Sequence, residues 1–455
     1  MELKKNDIIE LNITSMSHDG SGIGRYQGLA VFVPMTAVGD KVNVKILKVQ
    51  KNMAYGKVME ILEPSKDRIE PKCQVFNRCG GCVYHHITYE AELALKEKRV
   101  ADTLRRIGGI DIIPNTIMGA VYTERYRNKA EFPVGKNKEG CIISGFYAPR
   151  SHNIIDCESC HIQNETADRV KNIVVDFMER HNVSPYNEKS REGIVRHIFV
   201  RTGAVSGEVM VVIVINADNL PHADKLTQML QENIKGLVSL QLNINKENTN
   251  VILGNKFVLI YGKDYINDTL CGLQFKISAP AFYQVNHSQC EILYNEAIKM
   301  AGLTGSEVCV DLYCGIGTIT LILARHSKKV YGVEIVEEAV LNAKENAQIN
   351  NIKNAEFFCG SADKAAEMLL NNCIRPDVVT VDPPRKGLMP ELIDTIVKMS
   401  PKRVVYVSCD PATLARDLKI FKEKGYKVEN VTPVDMFPRT HHVECVVLMQ
   451  NVKNK

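Results

Sequence analysis

The chain of 455 residues contains no apolar run of the roughly eighteen residues that a membrane-spanning helix needs, and no signal-peptide pattern. It also lacks a low-complexity tract and an internal repeat. These absences exclude a helical membrane protein, and the expectation is a cytoplasmic protein with no membrane partner. Strong charge of one sign is missing too: 57 Lys and Arg against 53 Asp and Glu leave a formal net charge of +4. A nucleic-acid binder need not be basic throughout if its basic residues cluster, so that class stays open. The length predicts two or three domains, each able to bury its own core. Nothing indicates an oligomer, and a monomer is the expectation.

What is present is organised. Residues 6–60 carry short alternating runs, Leu29-x-Val31-x-Val33 and Val42-x-Val44-x-Ile46, broken by Gly20, Gly22, Gly24, Gly28 and Gly39. That is the pattern of a small β-barrel with tight turns. Lys41, Lys45, Lys48, Lys51 and Lys57 crowd its second half, as a solvated face or as a phosphate-binding one. The stretch resembles a TRAM domain, a small RNA-binding barrel, and 1–62 is set off as that unit. Residues 63–270 read as a central α+β domain. Thr88 to Ile107 there is one amphipathic helix, with Leu93, Val100, Leu104 and Ile107 near one face and able to pack on the unit that follows. Strand-like runs such as His197–Val200 and Glu208–Ile215 dominate the rest.

From 271 to 455 strands and helices alternate, the signature of a doubly wound α/β sheet. Glu307-Val-Cys-Val-Asp311-Leu-Tyr313-Cys-Gly315-Ile-Gly317 is a strand and a glycine turn leading into an apolar helix. Such a turn lets backbone approach a ligand and offers free helix-start amides. A second strand ends in Glu334, seventeen residues beyond Gly317, placed to accept hydrogen bonds from ribose hydroxyls. The third glycine of the dinucleotide fingerprint is missing, which argues against a nicotinamide cofactor. The opening resembles instead the first motif of S-adenosylmethionine (SAM) methyltransferases. Glu334, Asp382 and Cys409 each fall at the carboxyl end of a strand, where doubly wound sheets bind ligands.

Arg403–Val407 is a β-branched run that stops at Cys409, and Asp410-Pro411 reads as a helix N-cap with proline at the first helical position. Cys409 is thus expected beside free helix amides that lower a thiol's pKa. Taken alone, it is more commonly a small apolar residue ending a core strand, and the methyl-donor pattern around it tips the balance. Glu444 breaks an apolar strand, where an edge-strand charge facing water is the ordinary reading. Asp382-Pro-Pro-Arg-Lys386-Gly, Ser408-Cys409-Asp-Pro and Asp435-Met-Phe-Pro-x-Thr-x-His442-Val-Glu444 together resemble the motif set of the RNA (uracil-5-)-methyltransferase family. The resemblance implies Cys409 as nucleophile, Glu444 as general base, and Asp382 between donor and target base. It also implies Gln284, Tyr313, Glu334 and Asp382 as SAM-binding residues. A thiol is what separates this chemistry from nitrogen methylation, which needs no nucleophile of its own. Tyr126-Arg127-Asn128-Lys129 resembles a further signature of the family, expected to touch RNA or to be plain surface.

Cys73, Cys79 and Cys82 lie within ten residues, with a fourth candidate at Cys157 or Cys160. Fourteen cysteines without a signal peptide suggest a reducing compartment and a metal site. The spacing alone suits zinc or a [4Fe–4S] cluster equally. Family members with C-x5-C-G-G-C and a distant fourth cysteine carry an iron–sulfur cluster, and the resemblance makes Cys160 the fourth ligand. The full expectation is a 23S rRNA uracil C5 methyltransferase acting on a flipped base in a loop or single strand. A tRNA T-loop uracil methyltransferase is one rival, and such relatives usually lack both barrel and cysteine cluster. A non-catalytic RNA-binding iron–sulfur protein is the other, against which Cys409, Asp382 and Glu444 together speak.

Overall fold

A computed structural model describes residues 3–452. Residues 1–2 and 453–455, the outer ends of the first and last expected domains, lie outside the described residues. Alternation builds the N-terminal unit. β1 (Ile8–Asn12), β2 (Ser15–Met16), β3 (Gly22–Tyr26), β4 (Leu29–Val33), β5 (Lys41–Val49) and β6 (Met53–Glu63) form a six-stranded sheet in the order β1-β5-β6-β4-β3-β2. On β5, Val42, Val44 and Ile46 are fully buried and meet Ile9, Leu11, Val31 and Val33 in a small core of their own. The intervening lysines point outward. Lys41 is engaged by Glu10 at 3.1 Å and Glu63 at 3.4 Å, whereas Lys48, Lys51 and Lys57 stay exposed.

After α1 (Tyr89–Arg106) come β7 (Lys129–Lys136), β8 (Ile142–Tyr147), β9 (Ile154–Asp156), α2 (Glu165–Arg180), β10 (Val195–Thr202), β11 (Val209–Ile215), α3 (Ala223–Asn233), β12 (Leu237–Ile244) and β13 (Lys256–Gly262). Their sheet runs β13-β12-β11-β10-β7-β8-β9. β10 and β11 are buried at every position because both sheet faces are covered. Val200, Val211 and Ile213 meet α2 and α3, while Phe199, Met210 and Val212 join the apolar core of the C-terminal unit. The hairpin β14 (Tyr265–Leu270) and β15 (Leu273–Ser278) follows. Buried Arg201 donates to the carbonyls of Ala281 at 2.7 Å and Ala279 at 3.3 Å, fixing the segment that leads to Gln284.

The C-terminal unit comprises α4 (His287–Ala301), β16 (Val308–Leu312), α5 (Thr318–Ala324), β17 (Lys329–Glu334), α6 (Glu337–Ile349), β18 (Ala355–Cys359) and α7 (Ala362–Asn371). It continues with β19 (Val378–Val381), α8 (Pro390–Met399), β20 (Arg403–Ser408), α9 (Pro411–Glu423), β21 (Tyr426–Val434) and β22 (Glu444–Asn451). The sheet order is β18-β17-β16-β19-β20-β22-β21, with β16 to β20 parallel and β22 antiparallel to its neighbours. The expected doubly wound fold and N-terminal β unit are both present. Strand order reverses between β16 and β19, and ligands of such sheets bind outside the strand ends at that switch. Among the described residues no helix is long and apolar enough to cross a membrane.

α1 starts at Thr88, whose hydroxyl accepts the Ala91 amide at 3.3 Å. It lies on α9 and β21, with Val100 and Leu104 fully buried among Leu414, Ala415 and Phe421. Ile107 departs from the expected face and is 47 % exposed. The helix ends there, the chain turns at Gly108-Gly109, and Ile110 enters the core in its place, its amide bonding to the Leu104 carbonyl at 3.1 Å. Leu104→Ala is expected to lower stability by about 2–5 kcal/mol, read from the denaturant midpoint, because the cavity would open between two packed helices.

Candidate active site

The glycine turn after β16 is shaped for a ligand. Tyr313, Gly315 and Gly317 have φ of 69°, 55° and 87°, in the left-handed region. A Cβ on Gly315 would meet nothing within 4 Å, so its backbone faces open cavity, whereas one on Gly317 would press on Ala343 at 3.2 Å. Glu334, at the end of β17, is oriented by amides: Gly315 donates to it at 3.1 Å, Ile335 at 2.8 Å and Val336 at 2.9 Å. Beneath the turn Asp311 accepts from the hydroxyls of Thr320 at 2.6 Å and Thr380 at 2.7 Å. Burial pushes Asp311 up to about 6. Its role in bracing β16, α5 and β19 was not apparent from sequence, where it is one polar residue in an apolar strand.

The three candidate reacting groups come from three neighbouring strands. Asp382 follows β19 and Cys409 follows β20. Antiparallel pairing sets Ser408 opposite Cys445, which brings Cys409 and Glu444 out at the same edge of β20 and β22. The water-facing alternative for Glu444 fails: β22 lies between β20 and β21, and the residue is 3 % exposed. Burial and then the Asp382 carboxylate push Glu444 up to about 8, with Arg385 opposing. Asp382 is raised to about 7 by burial and then by Asp311.

The expectation of a thiol activated by helix amides is corrected here. Asp410 is the N-cap, and its carboxylate accepts the amides of Ala412 at 2.8 Å and Thr413 at 3.0 Å. Burial, then Glu444 and Asp382, push Cys409 up to about 12 instead. At the mouth Arg385 stands 3.4 Å from His442 Nε2. Burial, with His441 and Arg385 beside it, brings His442 down to about 3, so it faces the guanidinium as neutral imidazole.

One cavity of about 1010 Å³ joins everything. Gln284, Tyr313, Glu334, Asp382, Cys409 and Glu444 line it, and so do Cys73, Cys79, Cys82, Cys157 and Cys160. Burial first, then Cys160, Cys79 and Cys73, push the Cys82 thiol well above its usual range. The two candidates for the fourth position differ. Cys157 donates its S–H to the Ser159 carbonyl at 3.2 Å, whereas Cys160 sulfur receives the amides of Ile162 and Gln163. Among the described residues no group of three or more His, Cys, Asp and Glu side chains stands at metal-ligand geometry. The donor chemistry of the wall, thiols facing one shared space, nevertheless suits an iron–sulfur group.

The 126–129 signature is not plain surface, since Tyr126 and Asn128 are buried. The Tyr126 hydroxyl donates to the Pro438 carbonyl at 3.0 Å, and the Asn128 side chain donates to the Gln284 carbonyl at 3.0 Å. These two residues tie the central domain to Pro438 and to the segment that carries Gln284, while Arg127 and Lys129 line the cavity.

Comparison with known proteins agrees with this geometry. The tRNA (Uracil-5-)-methyltransferase family matches residues 88–452, and the TRAM domain matches residues 2–59. An uncharacterized RNA methyltransferase of Clostridium tetani is 47 % identical over 447 residues, covering 98 % of this chain and 97 % of its own. One from Halalkalibacterium halodurans is 44 % identical over 449 residues, with 98 % of each chain covered. The crystal structure of Pyrococcus abyssi tRNA (uracil-54, C5)-methyltransferase in complex with S-adenosyl-L-homocysteine superposes with a TM-score of 0.79 at 28 % identity. It covers 97 % of this chain and 99 % of its own. Such coverage cannot be reached without the barrel, so the barrel does not separate tRNA from rRNA enzymes as expected.

Proposed function

The chain belongs to the tRNA (uracil-5-)-methyltransferase family, with a TRAM domain ahead of the catalytic unit, and from that premise we propose that it methylates a uracil of 23S rRNA at C5 through a covalent Cys409 adduct. SAM-dependent methylation of uracil C5 in RNA is the family's reaction. The observation that supports the covalent mechanism is the cavity that Cys409, Asp382 and Glu444 line together with Gly315 and Glu334, and the cysteine-lined wall of the same cavity is what favours rRNA as the substrate.

The chemistry follows from the residues. Cys409 gives up its S–H proton to solvent, the thiolate Sγ adds to C6 of the uracil, and the C5–C6 π electrons shift toward O4 as an enolate, making C5 nucleophilic. Gln284, Tyr313, Glu334 and Asp382 would hold SAM, which would supply its methyl group to C5, the sulfonium sulfur leaving with the methyl–sulfur electron pair. Glu444 then takes the C5 proton. The C5–H pair re-forms the C5–C6 double bond, and the C6–S pair returns to Cys409. Asp382, near neutrality in pKa, is partly protonated and suited to hold the amide edge of the base. The base must leave the RNA stack to reach a half-buried thiol. Exposed Lys48, Lys51 and Lys57 of the barrel, with Arg385 and Lys386 at the mouth, supply sequence-independent attraction for phosphates.

Cys73, Cys79, Cys82 and Cys160 are read as the holders of a [4Fe–4S] cluster, Cys160 being favoured over Cys157 because amides point at its sulfur. Four cysteines leave no iron open to substrate, so the group would stiffen and charge the wall that faces RNA. A second substrate reading, a tRNA T-loop uracil, is favoured by the whole-chain likeness to the Pyrococcus abyssi enzyme. The deciding experiment is methyl transfer from labelled SAM to undermodified 23S rRNA and unmodified tRNA side by side, with nuclease protection of the product. Label as 5-methyluridine in rRNA alone is the expected result. Label in tRNA alone would transfer the assignment to the second reading.

A further inference from the structure

We infer that a buried ion cluster on α1 positions the general base: Lys96, bridging Glu92 and Asp435, holds the irregular strap 435–443 from which Glu444 leads off. This rests on the reading of Glu444 as the base. The strap joins β21 to β22 without helix or strand of its own, and Phe437, Thr440 and His442 on it line the cavity. Its path is set by α1. Lys96 Nζ donates to Glu92 at 2.7 Å, to Asp435 at 2.7 Å and to the Phe437 carbonyl at 3.2 Å. The Tyr89 hydroxyl donates to the other Asp435 oxygen at 2.6 Å and accepts the Ala120 amide at 2.6 Å. Glu92 accepts the Arg439 amide at 2.7 Å and faces its guanidinium at 3.6 Å. Further along, Arg99 donates to the His441 carbonyl at 2.7 Å.

The cluster is buried and balanced in charge. The side chains of Lys96, Glu92 and Asp435 are at most 1 % exposed, and with Arg439 two cations face two carboxylates. Such a group adds little net stability compared with apolar packing of the same volume, since desolvation offsets attraction. What it does supply is direction, because each donor fixes one atom of the strap. A small displacement of a catalytic group from a distant change can cost about 100-fold in rate. The Arg439 carbonyl also accepts the amides of Val83 at 2.8 Å and Tyr84 at 3.1 Å, directly after Cys82, so the cysteine loop braces the same strap from the other side. Lys96 touches no reacting atom and is a positioning residue.

The test follows the second half of the reaction, in which Glu444 takes the C5 proton and Cys409 leaves C6. Lys96→Met and Glu444→Gln are compared with wild type on ordinary uracil RNA and SAM. SAM affinity, kcat, KM for RNA and the fraction of protein covalently joined to methylated RNA are measured. Lys96→Met is expected to lose about 100-fold in kcat, with SAM affinity and KM unchanged, and to accumulate the methylated adduct as Glu444→Gln does. A slow Lys96→Met that accumulates no more adduct than wild type, while Glu444→Gln does accumulate it, would overturn the positioning role. No adduct in either variant would remove Glu444 as the base, and the proposal with it. Should Lys96→Met not fold, Tyr89→Phe keeps all four charges and removes the bond to Asp435 together with the one from the Ala120 amide. It carries the same expectation in smaller measure, and an unchanged kcat there counts against the proposal.

Discussion

Cys409→Ser is expected to lower methyl transfer by about 10⁴-fold or more, while leaving SAM affinity intact. The reason lies in what surrounds the sulfur. Burial and two carboxylates hold the resting thiol up at about 12, so the free enzyme keeps its nucleophile protonated and inert. A hydroxyl in the same place starts from a far higher pKa and forms the adduct correspondingly less often. RNA carrying 5-fluorouridine isolates the step, since fluorine at C5 cannot be removed as a proton and the adduct persists. Wild type should therefore yield a protein–RNA band that survives denaturation, and Cys409→Ser none. A serine variant retaining about a tenth of the wild-type single-turnover rate, equivalent to a barrier change of only about 1.4 kcal/mol, would mean that another group attacks C6.

The fold and the clustering of the candidate donor-site residues were legible because their signals are local. A strand, a glycine turn and an acid at the next strand tip fix where Tyr313, Gly315 and Glu334 go, and the sheet topology places them together. Two other features failed to read locally, for the same physical reason. Free amides beside Cys409 were inferred from Asp410-Pro411, yet the Asp410 carboxylate consumes them, and Asp382 and Glu444 arrive from separate strands to set the thiol. Glu444 reads as an edge charge until β22 is known to lie between β20 and β21. Long-range polar partners are harder still. Lys96 looks like one more solvated lysine on an amphipathic helix, and Asp435, its partner across 339 residues, is visible only once α1 is docked. The barrel does not discriminate between RNA substrates, since it is shared with a tRNA enzyme.

Glu444→Gln is expected to stop the reaction after methyl transfer, lowering turnover by about 10²–10⁴-fold and leaving methylated RNA bound to Cys409. The amide has nearly the shape of the carboxyl, so binding and attack survive while the acceptor for the C5 proton is lost. The pH dependence carries its own signature. Glu444 acts only as carboxylate, and burial holds its pKa at about 8. Product release in wild type should therefore climb with pH, flatten above about 8 and fall below it, an inflection absent from the variant. Stability should move the other way. A carboxyl whose folded pKa is raised binds its proton more tightly when folded, so its contribution is present below the unfolded value of about 4.3 and is lost as pH rises through the folded value. At pH above 8 wild type bears a buried charge that Glu444→Gln does not, and the variant should melt at a higher temperature there. Reduced turnover, trapped adduct and raised Tm together identify a buried carboxyl that must ionise, at a cost in stability, for the chemistry to proceed. A variant that releases 5-methyluridine at the wild-type rate would assign the proton to another acceptor, with Asp382 the remaining carboxylate in the cavity beside Cys409.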